Sequence, residues 1–151
     1  MKMAHVRHVL TAMCFGVVAG CGGDSTSPIL LEGAYKADTG NGMAFPLQQI
    51  GFTSTPPCSI DMRDAYLNIT AGNKYNAGGT VIFHCSGQPD QAGPVTENGT
   101  YAVSGAALFL DPGYRSGLVT SDARLSGSDI TMKYRVLDGD PITMHFRKIS
   151  H

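Results

Sequence analysis

Beyond residue 30 apolar and polar side chains alternate with a period of two. Ile130, Met132, Tyr134 and Val136 share one face of an extended strand, and Thr131, Lys133 and Arg135 share the other. Ile142, Met144 and Phe146 repeat the pattern, with His145 and Arg147 outward. Leu67 and Ile69 fall on one face of residues 65–70, and Val81, Phe83 and Cys85 fall opposite His84. Strands are predicted over residues 31–37, 43–52, 65–70, 74–85, 96–103, 107–110, 116–125, 130–136 and 142–147. Residues 58–64 read as either extended chain or a short turn. Pro46 marks an edge or bulge, and Gly78-Gly79 marks a break or bulge. Between the strands stand Asn41-Gly42, Gly72-Asn73, Ser104-Gly105, Asp111-Pro112-Gly113, Ser126-Gly127 and Asp138-Gly139-Asp140-Pro141, residues that suit turns. No 3.6-residue apolar period of useful length follows residue 30. About eight or nine short strands at hairpin spacing predict an all-β antiparallel up-and-down meander. Closing it into a barrel hides both edges, and a β-sandwich is the alternative.

Residues 1–20 follow another rule. Lys2 and Arg7 precede a short apolar run from Val9 to Val18, too short for a permanent membrane span of ~20 residues. The run ends in Val18-Ala19-Gly20-Cys21. This resembles the bacterial lipobox, in which an apolar residue and two small ones precede a lipidated cysteine. The resemblance implies a signal peptide over 1–20, cleavage before Cys21, and diacylglycerol and palmitate-type acyl chains on Cys21. Residues 21–29 then form a flexible tether, and 30–149 the barrel domain. Gly22 at the second mature position favours the outer over the inner membrane, by resemblance to enterobacterial sorting.

Composition agrees with β and turn structure: 19 Gly and 8 Pro in 151 residues, many Thr, Ser, Val and Tyr, and Glu only at positions 32 and 97. Eleven Lys+Arg face twelve Asp+Glu. Removing 1–20 takes Lys2 and Arg7, leaving nine against twelve and a formal charge of −3. No basic surplus suits a nucleic-acid binder. Of the four Cys, Cys14 leaves with the leader and Cys21 takes the lipid. Cys58 and Cys85 remain, an even pair in an oxidising compartment, and a Cys58–Cys85 disulfide is expected.

Gly33-Ala34-Tyr35, Gly99-Thr100-Tyr101 and the Ser-Gly hairpin units resemble small bacterial lipocalin-like lipoproteins, which are meander barrels. By that resemblance Tyr35 stands where the first-strand Trp is expected, and Arg147 is the candidate cation over its ring. The Cys58 to Cys85 hairpin is also similar to the linked central strands of small envelope inhibitors of proteases or lysozyme.

No catalytic, metal-binding or cofactor residues are assigned. His84, His145 and His151 lack partners at ligand spacing. Asp61 and Asp64, three apart, read as opposite faces of a strand or as a surface turn paired with Arg63. Asp138-Gly139-Asp140 lacks a full calcium pattern, and no G-x-S-x-G occurs. Aromatic residues at strand spacing (Tyr66, Tyr75, Tyr101, Tyr114, Tyr134, Phe45, Phe52, Phe83, Phe109 and Phe146) are candidates to line a cavity. The expected function is a non-enzymatic, lipid-anchored envelope module binding a small apolar ligand inside the barrel. The alternative is a protein-interaction or hydrolase-inhibitor barrel with a filled core and an exposed apolar tip, residues 52–57 or 112–114 being candidates.

Overall fold

The computed structural model describes residues 31–52 and 57–149. The leader, Cys21, the tether and residues 53–56 lie outside them. Ten strands follow in order: β1 (Gly33–Gly40), β2 (Met43–Ala44), β3 (Leu47–Phe52), β4 (Cys58–Thr70), β5 (Lys74–Cys85), β6 (Gln91–Ser104), β7 (Ala107–Ser116), β8 (Leu118–Ser126), β9 (Asp129–Val136) and β10 (Ile142–Lys148). Strands β4 to β10 pair with their successors, β10 pairs with β1, and β1 pairs with β4, all antiparallel. Eight strands thus close into an up-and-down barrel of lipocalin-like topology. Strands β2 and β3 hang on its rim, paired with β1 and β4 respectively. Closure decides for the barrel over the sandwich.

Local chemistry explains the joints. Asn41-Gly42 makes a two-residue hairpin between β1 and β2, with φ of 50° and 78°. Positive φ at both central residues is the conformation that Asn-Gly tolerates best. A cis Phe45-Pro46 bond separates β2 from β3, where the sequence suggested one strand with an edge position or bulge at Pro46; β2 and β3 do lie at the edges.

One open reading is settled and two expectations change. Residues 58–64 are strand, because a bulge at Arg63 lets β4 continue: Met62 pairs with Val81 and Asp64 with Thr80. The extra residue sets Asp61 and Asp64 on the same outward face, and Asp64 accepts a bond from the Thr80 amide at 2.9 Å. Strand β5 runs unbroken through Gly78-Gly79. Those glycines answer close approach instead: a Cβ on Gly78 would stand 2.5 Å from the Tyr66 hydroxyl oxygen. Asp111-Pro112-Gly113 is not a hairpin turn. Gly99 pairs with Pro112 and Asn98 with Tyr114, so Gly113 is the extra residue of a bulge inside β7. The reversal comes at Gly117, whose φ is 70°.

The predicted inward faces of β9 and β10 are buried as expected. Ile130, Met132, Tyr134, Val136, Met144 and Phe146 are completely enclosed, and Leu67, Ile69, Met62 and Ile60 meet them from β4. The Tyr134 hydroxyl donates to the Tyr66 carbonyl at 2.7 Å, so one side chain from β9 reaches the wall at β4. Its ring packs on Phe146 with centroids 5.5 Å apart. Cys58 and Cys85 are direct cross-strand partners and are disulfide-bonded, with Cα atoms 4.1 Å apart. Closing a loop over a separation of 27 residues contributes about 3.5 kcal/mol through the unfolded chain.

Candidate functional site

The barrel wall is uneven at one place. Strands β6 and β7 pair over most of their length, and so do β8 and β9. Strands β7 and β8 share only Ala107–Arg124 and Leu108–Ala123, and then part. A cleft of about 320 Å³ opens there, lined by Leu108, Phe109, Leu110, Thr120, Asp122 and Arg124 among others. The Leu125 amide donates to the Ala106 carbonyl at 2.8 Å. By alternation, the main-chain groups of Ala106, Leu108, Leu110 and Pro112 therefore face the parting. Pro112 turns no amide hydrogen toward it, which blunts the open side of β7.

Glu97 lies behind this seam and is completely buried. Its parity on β6 matches Val95, so its side chain enters the barrel. Tyr75 donates its hydroxyl to Oε1 at 2.7 Å, and Thr120 Oγ1 bonds the same oxygen. Arg115 Nε reaches Oε2 at 2.7 Å, and the Thr120 amide donates to it at 3.2 Å. Four donors from β5, β7 and β8 thus converge on one carboxylate. Burial, reinforced by the bond to Glu97, pushes the Tyr75 hydroxyl far above the ordinary tyrosine range. Every oxygen of Glu97 is engaged and none meets solvent. The arrangement holds a carboxylate in place of the missing rungs of the β7–β8 ladder, and offers no open acid or base. Sequence reasoning passed over Glu97. The signal was present, since a carboxylate on the inward parity of a strand must find donors.

The residues singled out from sequence stand as follows. His84 faces outward, as alternation requires, and bridges Asp61 (Nε2 to Oδ2, 3.3 Å) and Asp90 (Nδ1 to Oδ1, 2.8 Å). Its bond to Asp90, then that to Asp61, outweighs the opposing effect of desolvation and raises its pKa above the ordinary 6.5. His145 likewise faces outward, between Asp38 at 2.9 Å and Asp129 at 3.6 Å. Desolvation alone would raise the Asp38 pKa, but His145 and Arg147 outweigh it and hold the carboxyl below its usual value. Each histidine divides its two ring nitrogens between two carboxylates, so these trios do not converge on one ion. Among the described residues, no group of His, Cys, Asp or Glu is arranged to hold a metal.

The expected Arg147–Tyr35 contact is corrected. Register places Lys148 opposite Tyr35, and its Nζ stands 5.8 Å from the ring centroid. Arg147, one residue earlier and so on the other face, bonds Asp38 at 2.8 Å. The aromatic residues divide as well. Tyr75, Tyr134 and Phe146 are buried, and Phe45, Phe83 and Tyr101 pack partly against the core. Phe109 and Tyr114 are 59 % and 58 % exposed on the outside of β7. The Phe52 side chain and residues 53–56 lie outside the described residues, so that candidate tip is not placed. Residues 112–114 form part of a strand rather than a loop tip. Comparison of the chain with models of known families, with curated proteins and with solved structures finds no match.

Proposed function

We propose that this chain is an exported lipoprotein, anchored through Cys21, whose filled barrel works as a non-enzymatic interaction module at the cell envelope. One observation carries the choice between carrier and interaction module. The interior is taken up by the protein's own side chains, with Tyr134 of β9 bonded to the main chain of β4 and Met62, Leu67, Met132, Met144 and Phe146 packed in the same cluster. A barrel of eight strands either fills itself or holds one small ligand. The described clefts of about 320 to 450 Å³ each touch only one or two members of this cluster (Leu108 and Ala123, Ala37, Tyr35 and Ala65, or Tyr75), and the rest of their lining lies outside it.

Phe109 and Tyr114 support the interaction reading. Exposed aromatic side chains on a stiff strand are suited to anchoring a protein partner. The anchor and export rest on the Val18-Ala19-Gly20-Cys21 motif and agree with the Cys58–Cys85 bond, which belongs to an oxidising compartment.

Mass spectrometry of the chain purified from a bacterial envelope tests both parts. The expected species begins at an acylated Cys21, has Cys58 and Cys85 oxidised, and releases no small molecule on denaturation. A stoichiometric apolar molecule released on denaturation would overturn the filled-interior reading and make the barrel a carrier. An unacylated terminus would overturn the anchor.

A further inference from the structure

The charges of this barrel are segregated. Strands β9, β10 and β1 are neighbours in the wall, and on their outer faces they carry Lys133, Arg135, Arg147 and Lys36 against Asp129 and Asp38, with Lys133 paired at 2.7 Å to Asp122 of β8. Four cations against three carboxylates is a surplus of one on this wall, in a chain whose charge beyond residue 20 is −3. The surplus is also locally unfavourable. Lys36 and Arg147 are direct cross-strand partners on the outer face, and like charges so placed destabilise a sheet. Asp38 bonds Arg147 at 2.8 Å but is shared with His145. Lys36 has no carboxylate within ion-pair distance among the described residues. An anion from outside would offset the repulsion between them.

The surroundings say what kind. A cleft of about 450 Å³ lies along this pair, lined by Lys36, Asp38, Phe45, Arg147, Lys148 and Ile149 among others. A second cleft of about 410 Å³ on the far side of β1 shares Lys36 and Ile149. Ile149 is 45 % exposed between them. Cations beside exposed apolar carbon fit an anionic amphiphile better than a free ion. Nine residues, 22–30, separate Cys21 from the described chain, and they can span at most roughly 30 Å. That chain enters at Leu31, immediately before β1.

We propose that the wall formed by β9, β10 and β1, centred on Lys36 and Arg147, docks on the phosphate headgroups of an anionic membrane surface. The proposal rests on the anchor reading only for the nearness of the bilayer. Juxtamembrane cations gain from an anionic surface that lies within a Debye length of them. The titratable groups facing this site are His145, Asp38 and Asp129, with Asp64 and Tyr66 in the second cleft and Asp122 on Lys133. Asp38 and Asp129 are already shared with His145, Asp38 with Arg147 as well, and Asp64 accepts from the Thr80 amide.

The test uses residues 22–151, which contain every strand of the closed barrel and lack the lipid. Binding is measured by co-sedimentation with vesicles of phosphatidylcholine, with and without a one-third share of phosphatidylglycerol, at low and high salt. The chain is expected to bind only the anionic vesicles, and to be released by high salt. Each cation near the surface is worth roughly fivefold in partition, so Lys36→Glu, a reversal, should weaken binding roughly 25-fold. The same substitution puts a carboxylate opposite Arg147, so the melting temperature should hold or rise while binding falls. Lys74→Glu makes the same change in net charge on β5, away from this wall, and should cost less than about twofold. Arg147→Gln provides a second variant, expected to lose roughly fivefold. The proposal is overturned by equal losses from Lys36→Glu and Lys74→Glu, by equal binding to neutral vesicles, by no binding to either, or by release with millimolar inorganic phosphate at constant ionic strength. Because the chain tested carries no acyl group, such a failure leaves the Cys21 anchor standing, and loss of the anchor would leave a positive result here intact.

Discussion

Glu97 shows how much one residue can decide. Its carboxylate takes the Thr120 amide at the stretch where β8 has lost its β7 partner, and it holds Arg115 and Tyr75 as well. Glu97→Ala leaves these donors facing a cavity. Breaking a buried pair costs about 3–5 kcal/mol, and the lower end is expected because Arg115 is partly exposed and can return to water. Glu97→Gln keeps the volume and one carbonyl oxygen and should cost about 1–2 kcal/mol. Urea unfolding of the two variants measures this; a Glu97→Ala protein as stable as the parent would mean that the seam closes without its clamp. His84 offers a test in pH. Its folded pKa is raised, chiefly by the bond to Asp90. Its contribution is therefore complete below the unpaired value of 6.5 and fades as pH rises through the higher folded value. The difference in melting temperature between the parent and His84→Gln should be larger near about pH 5.5 than near about pH 8.5. An equal difference at both would show that His84 stabilises by packing and not by charge.

At the scale of strands, the parts that alternation governs were legible. Strands β9 and β10 match the sequence reading nearly residue for residue, because one face is solvated and the other is core, so parity alone sets each side chain. Strand β5 was bounded correctly at Lys74 and Cys85. The errors gather at bulges. An extra residue inverts parity, and neither Arg63 nor Gly113 announces itself in composition. Asp111-Pro112-Gly113 has the residues of a hairpin turn, and here they serve a strand that has lost one neighbour, where a missing amide hydrogen costs nothing. The same limit hid the candidate sites. The pairing of Lys36 with Arg147, more than a hundred residues apart in the chain, depends on the register between first and last strands. Glu97 could be assigned to the interior from parity alone, but its four donors come from three other strands that only closure assembles. Lys148 over Tyr35, in place of Arg147, is a one-residue error of this sort, and it exchanges an inward for an outward side chain.

Around the whole barrel, β7 lies four strands from β1 in either direction along the ring of eight. The exposed aromatic strand is therefore opposite the strand that begins the chain and carries Lys36. On the proposed orientation, β1 and β10 rest against the bilayer, and Phe109 and Tyr114 are turned to the aqueous side where a protein partner can reach them. The absence of Trp makes this testable with a single reporter. Ile149 bonds through its amide to the Ala34 carbonyl, and Phe109 pairs with Ala102, so both lie toward the same end of the barrel on opposite walls. Ile149→Trp and Phe109→Trp each give a protein with one indole, and both positions are exposed enough to accept it. On anionic vesicles with headgroup nitroxide lipids, the fluorescence of the Ile149→Trp protein should be strongly quenched and that of the Phe109→Trp protein nearly unchanged. Equal quenching of the two proteins would mean that the barrel stands on its end with no preferred wall. Quenching of the Phe109→Trp protein alone would turn the molecule over, putting the aromatic strand into the membrane and leaving the cationic wall for a soluble partner.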